Sequence, residues 1–314
     1  MAEYRVAAIP RPARHNEPEA LEFPGCRPVR IPREAISDHE GRIEYWDAAT
    51  EIAMVCDPAG IYHEQGGQRL GALTTMMART RGSPIDTFGA ADLLVRDARG
   101  AWQRIMQADQ TVYLDPRATR PSGPAIEVGS DTLPDVVLEV DNTTDVRRGK
   151  LALYESWGFP EVWVEVPDTP SPSRPAGLRA GLTMYVLEGG SFRTVPSSRA
   201  FPGWTAEEIH LALNEPELSD ATTAALRRVG RALGTAEGTG PDDDPFLRAE
   251  RLEGRLETQR TAVLQVFRTR GLPVSAALPR RLGQLPANST ETLVQAALEC
   301  RDEADFLRLV AQRR

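Results

Sequence analysis

The stretch that most constrains the fold is residues 134–168, PDVVLEVDNTTDVRRGKLALYESWGFPEVWVEVPD. Val136, Val137, Leu138 and Val140 form the near-continuous apolar run of a strand buried on both faces. Thr144 or Asp145 can cap a helix running to Trp157, Gly158 ends it, and 161–166 reads as a second strand. Two strands around one helix make a β-α-β unit. That unit commits the chain to a parallel or mixed sheet covered by helices, an α/β architecture.

Polar residues inside this unit carry the first chemical signal. With a period of two, Val137, Glu139 and Asp141 share one strand face while Val136, Leu138 and Val140 share the other. Two carboxylates therefore project about 6.5–7 Å apart at the backbone from a strand otherwise built for burial. Burying an unpaired carboxylate costs several kcal/mol, so a cation accompanies it, or else the pair sits at a solvated strand end. A hard divalent ion is the natural candidate, since Mg²⁺ is usually held by one or two carboxylates plus substrate phosphate.

The basic residues number 37, and Lys150 is the single lysine among 36 arginines. Lys150, Leu153, Tyr154 and Trp157 fall at i, i+3, i+4 and i+7, the stripe that faces the sheet, while Arg147 and Arg148 fall outside it. A compact ammonium beside carboxylates can orient a water or neutralise developing charge where arginine's planar fork does not fit. A buried Lys–Glu salt bridge with no catalytic role is the alternative.

Elsewhere the pattern sets boundaries. Residues 1–40 are rich in Pro, Arg and Glu and read as an extended arm carrying little core. A hairpin over 41–57, a helix over 60–81, and three β-like runs at 91–97, 102–108 and 110–114 precede the β-α-β unit. A hairpin around Glu188-Gly189-Gly190 and a short helix near 207–213 follow it. The segment 216–245 reads as a helix and a flexible linker, TAEGTGPDDDP, and 246–314 as amphipathic helices forming a small bundle. Net charge is −8, which excludes non-specific coating of nucleic acid. From Arg248 onward, however, twelve arginines face eight acidic residues, a balance of +4 that leaves −12 for the rest.

Three cysteines, Cys26, Cys56 and Cys300, at wide spacing support neither a disulfide framework nor a zinc site. His15, His39, His63 and His210 are scattered, which disfavours histidine-based zinc chemistry. No apolar run approaches the ~20 residues of a membrane span, and the first residues lack a signal-peptide core. The expectation is a cytoplasmic protein without membrane contact.

Pro134–Val140, the Asp-containing turn after it, Gly149-Lys150-Leu151, Tyr154, Gly158 and Pro160-Glu161-Val162-Trp163 resemble the signature of the Uma-type restriction endonuclease family, within the PD-(D/E)XK nuclease superfamily. Arg42-Ile43-Glu44 through Met54 is similar to that family's opening hairpin, His63 to the histidine beginning its first helix, and 107–113 to its Pro-Asp and following strand. The resemblance spans about 41–215. It implies a restriction-endonuclease-like mixed central sheet flanked by helices, here with a helical C-terminal extension. It also implies catalytic roles for Asp109, Glu139, Lys150 and Glu44, with Asp109 and Glu139 holding Mg²⁺ or Mn²⁺. Departures are Ala108 for the usual proline, Asp141 where the parent motif has lysine, and the turn 141–144.

The resulting expectation is a metal-dependent endonuclease acting on nucleic acid, with DNA the favoured substrate and self-association through the C-terminal helices. The competing reading is an inactive module of the same fold that binds nucleic acid or a partner protein.

Overall fold

The computed structural model describes residues 9–10, 20–39, 41–56, 61–119, 121, 123–142, 145–171, 174, 177–284 and 290–312. It divides into two compact units, Met1–Gly240 and Pro241–Arg314, each treated separately.

In the first unit a two-residue ladder pairs β1 (Ile9–Pro10) with β2 (Ala20–Leu21). The main mixed sheet contains β3 (Cys26–Arg30), β4 (Ile43–Asp47), β5 (Ile52–Cys56), β6 (Asp86–Arg96), β7 (Trp102–Tyr113), β8 (Ile126–Glu127), β9 (Val136–Val140), β10 (Glu161–Val166), β11 (Gly181–Glu188) and β12 (Ser191–Val195). Its order is β12-β11-β10-β9-β7-β4-β5-β3, with β6 on β7 and β8 on β6. Strand β7 is the pivot. Residues 104–106 pair with β4 and 110–112 with β9, while β6 follows it from end to end. Sequence patterning split this region into shorter runs, because apolar spacing lapses at Gln107–Gln110 while the backbone ladder continues.

The β-α-β unit forms as its pattern requires. Strands β9 and β10 are parallel and wholly buried, joined by α3 (Lys150–Trp157). Val136, Leu138, Val140 and Trp163 pack in one core with α1 (Ile61–Arg81), α4 (Ala206–Asn214) and α5 (Asp220–Glu237). Val137, Val162 and Val164 face the other way, against Leu153, Tyr154 and Phe159. Helix α3 is shorter than its sequence pattern. Val146–Arg148 forms a 3-10 turn, and the helix proper starts at Lys150. Gly158, at φ 82°, closes it by donating to the carbonyls of Tyr154 and Glu155, which turns the chain directly into β10. A short α2 (Pro116–Thr119) follows β7.

Three expectations change. The arm does carry core: Leu21, Phe23, Ile31 and Ile36 are buried, and β3 is the sheet's edge strand. Cys26 and Cys56 stand opposite each other on β3 and β5 and are joined as a disulfide. Their sequence separation of 30 closes a loop worth about 3–4 kcal/mol in the chain-entropy picture. Thirdly, α5 belongs to the first unit. Ser219 caps it, Leu226, Val229 and Leu233 are buried, Arg81 pairs with Glu237, and the Thr239 hydroxyl donates to the Arg81 carbonyl (2.8 Å). The stretch read as a linker from Thr235 is thus helical through Glu237 and attached as far as Thr239.

The second unit contains α6 (Pro245–Thr269), α7 (Leu278–Gln284), α8 (Thr290–Glu299) and α9 (Glu303–Gln312). Its own core gathers Val263, Phe267, Leu278, Leu282, Leu293, Phe306 and Val310. Arg270 donates to the carbonyls of Ala297 and Cys300, both at 2.7 Å, closing the end of α8. Among the described residues no helix is long and apolar enough to cross a membrane.

Burial of Leu226, Val229 and Leu233 stabilises by about 5–9 kcal/mol, comparable to the ~5–15 kcal/mol that holds a whole domain. A chain ending at Gly240 is therefore expected to melt cooperatively. A chain ending at Ser219 is expected to aggregate or to lose its near-ultraviolet circular dichroism.

Candidate active site

Four elements deliver the polar residues. Strand β4 supplies Glu44, β7 Asp109, β9 Glu139, and α3 Lys150 and Tyr154. The β7–β9 ladder pairs Gln110 with Leu138, and one step further along that register sets Asp109 opposite Glu139. Helix periodicity then turns Lys150 and Tyr154 onto the same face of the sheet.

The Lys150 ammonium donates to Glu44 Oε1 (2.7 Å) and Glu139 Oε2 (2.6 Å), and the Tyr154 hydroxyl donates to Glu139 Oε1. The Val140 amide donates to Asp109 Oδ2 (2.8 Å). Arg42 Nη2 reaches Glu44 Oε2 (3.3 Å) and Asp109 Oδ1 (3.4 Å). The residues predicted from sequence to form the site, Asp109, Glu139, Lys150 and Glu44, therefore meet in one cluster. Tyr154 and Arg42 join it without having been assigned a role. The signal for Tyr154 was its place four residues after Lys150. The signal for Arg42 was its place two residues before Glu44, immediately ahead of β4.

Burial decides the electrostatics. Glu139 and Lys150 are only 1% and 2% exposed. Burial pushes the Glu139 carboxyl well above the usual carboxylate range; Lys150 opposes the shift, while Asp109 and Glu44 add to it. Burial pulls the Lys150 ammonium down, but Glu139, Glu44 and Asp109 together outweigh it and raise it above its ordinary value. Tyr154 is raised by burial and by the adjacent Glu139. Among the described residues, three carboxylates, Glu44, Asp109 and Glu139, thus face two cations, Lys150 and Arg42.

On the side of Asp109 and Arg42 the cluster borders a cleft. A cleft of about 670 Å³ is lined by Arg42, Glu64, Gln68, Gln107, Asp109 and Gln110 among others. Gly67 on α1 lets the helix approach its floor, since a Cβ there would lie 3.0 Å from Gln110 Oε1. On β6, Gly89 pairs with Gln110 and Ala91 with Ala108, leaving Ala90 opposite Asp109 at φ 50°, a strained position of the kind found at functional sites. Behind Lys150 the arm closes the site. The Glu22 amide donates to the Arg148 carbonyl (3.1 Å), and the Glu22 carbonyl lies so close to Gly149 that a Cβ there would sit at 2.7 Å. Cys56 Sγ of the disulfide lies 3.9 Å from Glu44 Oε2.

The donor set suits Mg²⁺ or Mn²⁺. Among the described residues it offers carboxylate oxygens, the ligands that these hard ions take. Among the described residues no three His, Cys, Asp or Glu side chains form a ready-made cage. Mg²⁺ does not need one, because it keeps several waters and binds through one or two carboxylates.

Other candidates fall away. Asp141, read from strand parity as a partner of Glu139, instead accepts from the Val146 amide (2.9 Å) and fixes the 3-10 turn before α3. His210 is clasped by Glu165 (2.8 Å) and Asp168 (3.1 Å), neither of which belongs to the cluster. The His63 side chain lies outside the described residues. Trp46, Trp163 and Trp204 are fully buried in the core.

Removing one partner of a buried ion pair strands the other, at about 3–5 kcal/mol. Lys150→Met, which leaves Glu44 and Glu139 without their shared cation, is expected to lose that much in urea denaturation with EDTA present. Glu139→Gln removes one of the three described carboxylate charges and leaves Lys150 paired with Glu44, so its loss should be small or reversed. Equal losses in the two variants would contradict this charge balance.

No protein-family model matches the chain, and no curated protein matches it. Among solved structures, the crystal structure of a "putative nuclease belonging to DUF820" from Anabaena variabilis is similar at 10% identity and a TM-score of 0.37, over 58% of this chain and 99% of that one.

Proposed function

We propose that the first unit is a metal-dependent nuclease that hydrolyses phosphodiester bonds of nucleic acid, with DNA as the preferred substrate. The observation that carries this reading is the convergence of Glu44, Asp109, Glu139 and the chain's single lysine beside an open cleft. In it, Asp109 and Glu139 hold Mg²⁺ or Mn²⁺. The bound ion supplies Lewis acidity toward the phosphate and a more acidic water.

The chain's own residues account for the rest of the chemistry. Lys150 keeps its proton at neutral pH and places positive charge where the pentacoordinate phosphate gains negative charge. Glu44 holds one side of that ammonium, so the Nζ position is fixed rather than sampled. Tyr154 fixes the Glu139 carboxylate through its second oxygen. The Val140 amide holds Asp109 through Oδ2, with Oδ1 toward Arg42. The second unit, with Phe246 and Leu252 exposed on α6, is the surface we assign to self-association or to contact with the target.

One observation favours the non-catalytic alternative. Both Glu139 oxygens already accept hydrogen bonds, from Lys150 and Tyr154, as in a structural ion pair. Incubation of the full chain with supercoiled plasmid and single-stranded oligonucleotides, in Mg²⁺, Mn²⁺ or EDTA, separates the two. Metal-dependent nicking that is lost in Glu139→Gln and Lys150→Arg supports the nuclease. Binding without cleavage under every condition supports the module.

The pH dependence has a defined sign. Because the Glu139 carboxyl titrates above 4.5, lowering the pH protonates it before an ordinary glutamate. Metal affinity and cleavage are expected to rise with pH along one acidic limb displaced upward from that of an ordinary glutamate. That limb should disappear from the metal-binding profile of Glu139→Gln.

A further inference from the structure

We propose that the Cys26–Cys56 disulfide is a redox latch: closed, it holds residues 22–24 over Lys150 and Glu44, and opened by a dithiol reductant it frees that segment and lets solvent reach the ammonium. The latch itself stands apart from the nuclease reading. Its consequence for cleavage rests on that reading, because a Lys150 no longer held in one place loses the position the reaction needs.

The covering segment sits on the residue before the lysine. The Glu22 amide donates to the Arg148 carbonyl (3.1 Å), and the Glu22 carboxylate pairs with Arg148 Nη1 at 3.1 Å. The Glu22 carbonyl and the Phe23 ring lie against Gly149, where an added Cβ would meet them at 2.7 and 3.5 Å. Phe23 also stacks on Tyr45, the neighbour of Glu44 on β4, with ring centroids 5.2 Å apart. What remains is a void of about 10 Å³, lined by Glu22, Phe23 and Pro24 from the arm and by Glu44 and Lys150 from the site. Lifting residues 22–24 opens that void, and Lys150 with it, to water.

A turn ties this cover to the disulfide. Pro24 and Gly25, the latter at φ 83°, occupy the centre of a turn that the Cys26 amide closes by donating to the Phe23 carbonyl (3.2 Å). Proline before a glycine at positive φ suits a rigid two-residue turn, so the place of Cys26 sets that of Phe23. Without the bond, Cys26 is weakly anchored. Strand β3 is the edge of the sheet, its five residues are exposed or half-buried, and Pro28 among them has no amide proton for the ladder. Cys26 and Cys56 pair at the end of the β3–β5 ladder next to the turn, and both are half-buried, within reach of a small thiol. The dithiol supplies two electrons and two protons: the S–S bond breaks, an S–H forms on each cysteine, and the reductant leaves as its own disulfide.

The test compares the full chain with the bond closed, verified as a cross-linked Cys26–Cys56 peptide by mass spectrometry, with the chain reduced by dithiothreitol and freed of it under argon. Lys150 is the chain's one lysine, so acetylation of a lysine side chain by an N-hydroxysuccinimide ester at mildly alkaline pH reports on this site alone. A cross-link closing such a loop shifts a local opening equilibrium by about a hundredfold, and part of that should appear as at least about tenfold faster acetylation after reduction. Cys26→Ser should label like the reduced wild type with or without dithiothreitol. Amide hydrogen exchange should quicken over residues 20–30 and stay unchanged over β9 and β10. Equal acetylation in the two states, or failure of the two cysteines to form the bond in air, would overturn the latch. Faster exchange over β9 and β10 as well would overturn it too, since the bond would then be a staple of the whole unit. None of these measurements uses metal or nucleic acid. A latch that opens in a chain that nicks no plasmid in either state therefore overturns the nuclease reading and leaves this inference standing.

Discussion

The ammonium of Lys150, held between Glu44 and Glu139 beneath the surface, is the interaction on which the first unit depends. Desolvating one such charge costs several kcal/mol, recovered only when partners lie at hydrogen-bond distance and their remaining lone pairs are satisfied. The structure meets that condition with elements from distant parts of the chain. Glu44 and Lys150 are 106 residues apart, and Tyr154 and the Val140 amide complete the set. Small displacement of any one strand would leave a buried charge unpaired. The mixed topology, the close approach of α1 through Gly67 and the closing segment around Glu22 therefore serve one local constraint as much as they serve apolar burial.

The β-α-β unit was legible because its signals are local. Period two places Val136, Leu138 and Val140 on one face and Val137 and Glu139 on the other, and the two separate cores confirm that division. Period 3.6 placed Lys150, Leu153 and Tyr154 inward, and all three are buried. Rarity did the rest. In a chain with 36 arginines, a single lysine on a buried stripe marks a position where a wide guanidinium does not serve. Asp109 was different. Nothing in its own neighbourhood fixed its partner, and its place rested on resemblance until strand pairing brought it opposite Glu139.

What escaped the sequence reading depends on pairing between segments. Cys26 and Cys56 are far apart along the chain, and only the β3–β5 register makes them neighbours. The arm looked solvated because Pro, Arg and Glu dominate it, yet Leu21, Phe23, Ile31 and Ile36 each find a place in a core supplied by other elements. Helix α5 was assigned outside the domain because Ala and Arg dilute its apolar stripe. Its glycines explain the correct placement: a Cβ on Gly230 would lie 2.9 Å from the Met77 carbonyl, and one on Gly234 2.6 Å from the Arg81 carbonyl. Small residues that look weak in a sequence are here the means of close helix packing.

Charge distribution links the site to the way a polyanion would reach it. Residues before Arg248 carry −12, so the body repels phosphate, and at physiological salt that field decays over about 8 Å. Attraction must therefore come from cations near the point of contact rather than from the net charge. Within the described cleft lining Arg42 is the basic side chain, and it is engaged with Asp109 and Glu44. On the proposed nuclease reading, a divalent ion held by Asp109 and Glu139 would add positive charge beside Arg42, and encounter of this acidic body with phosphate would then depend on metal.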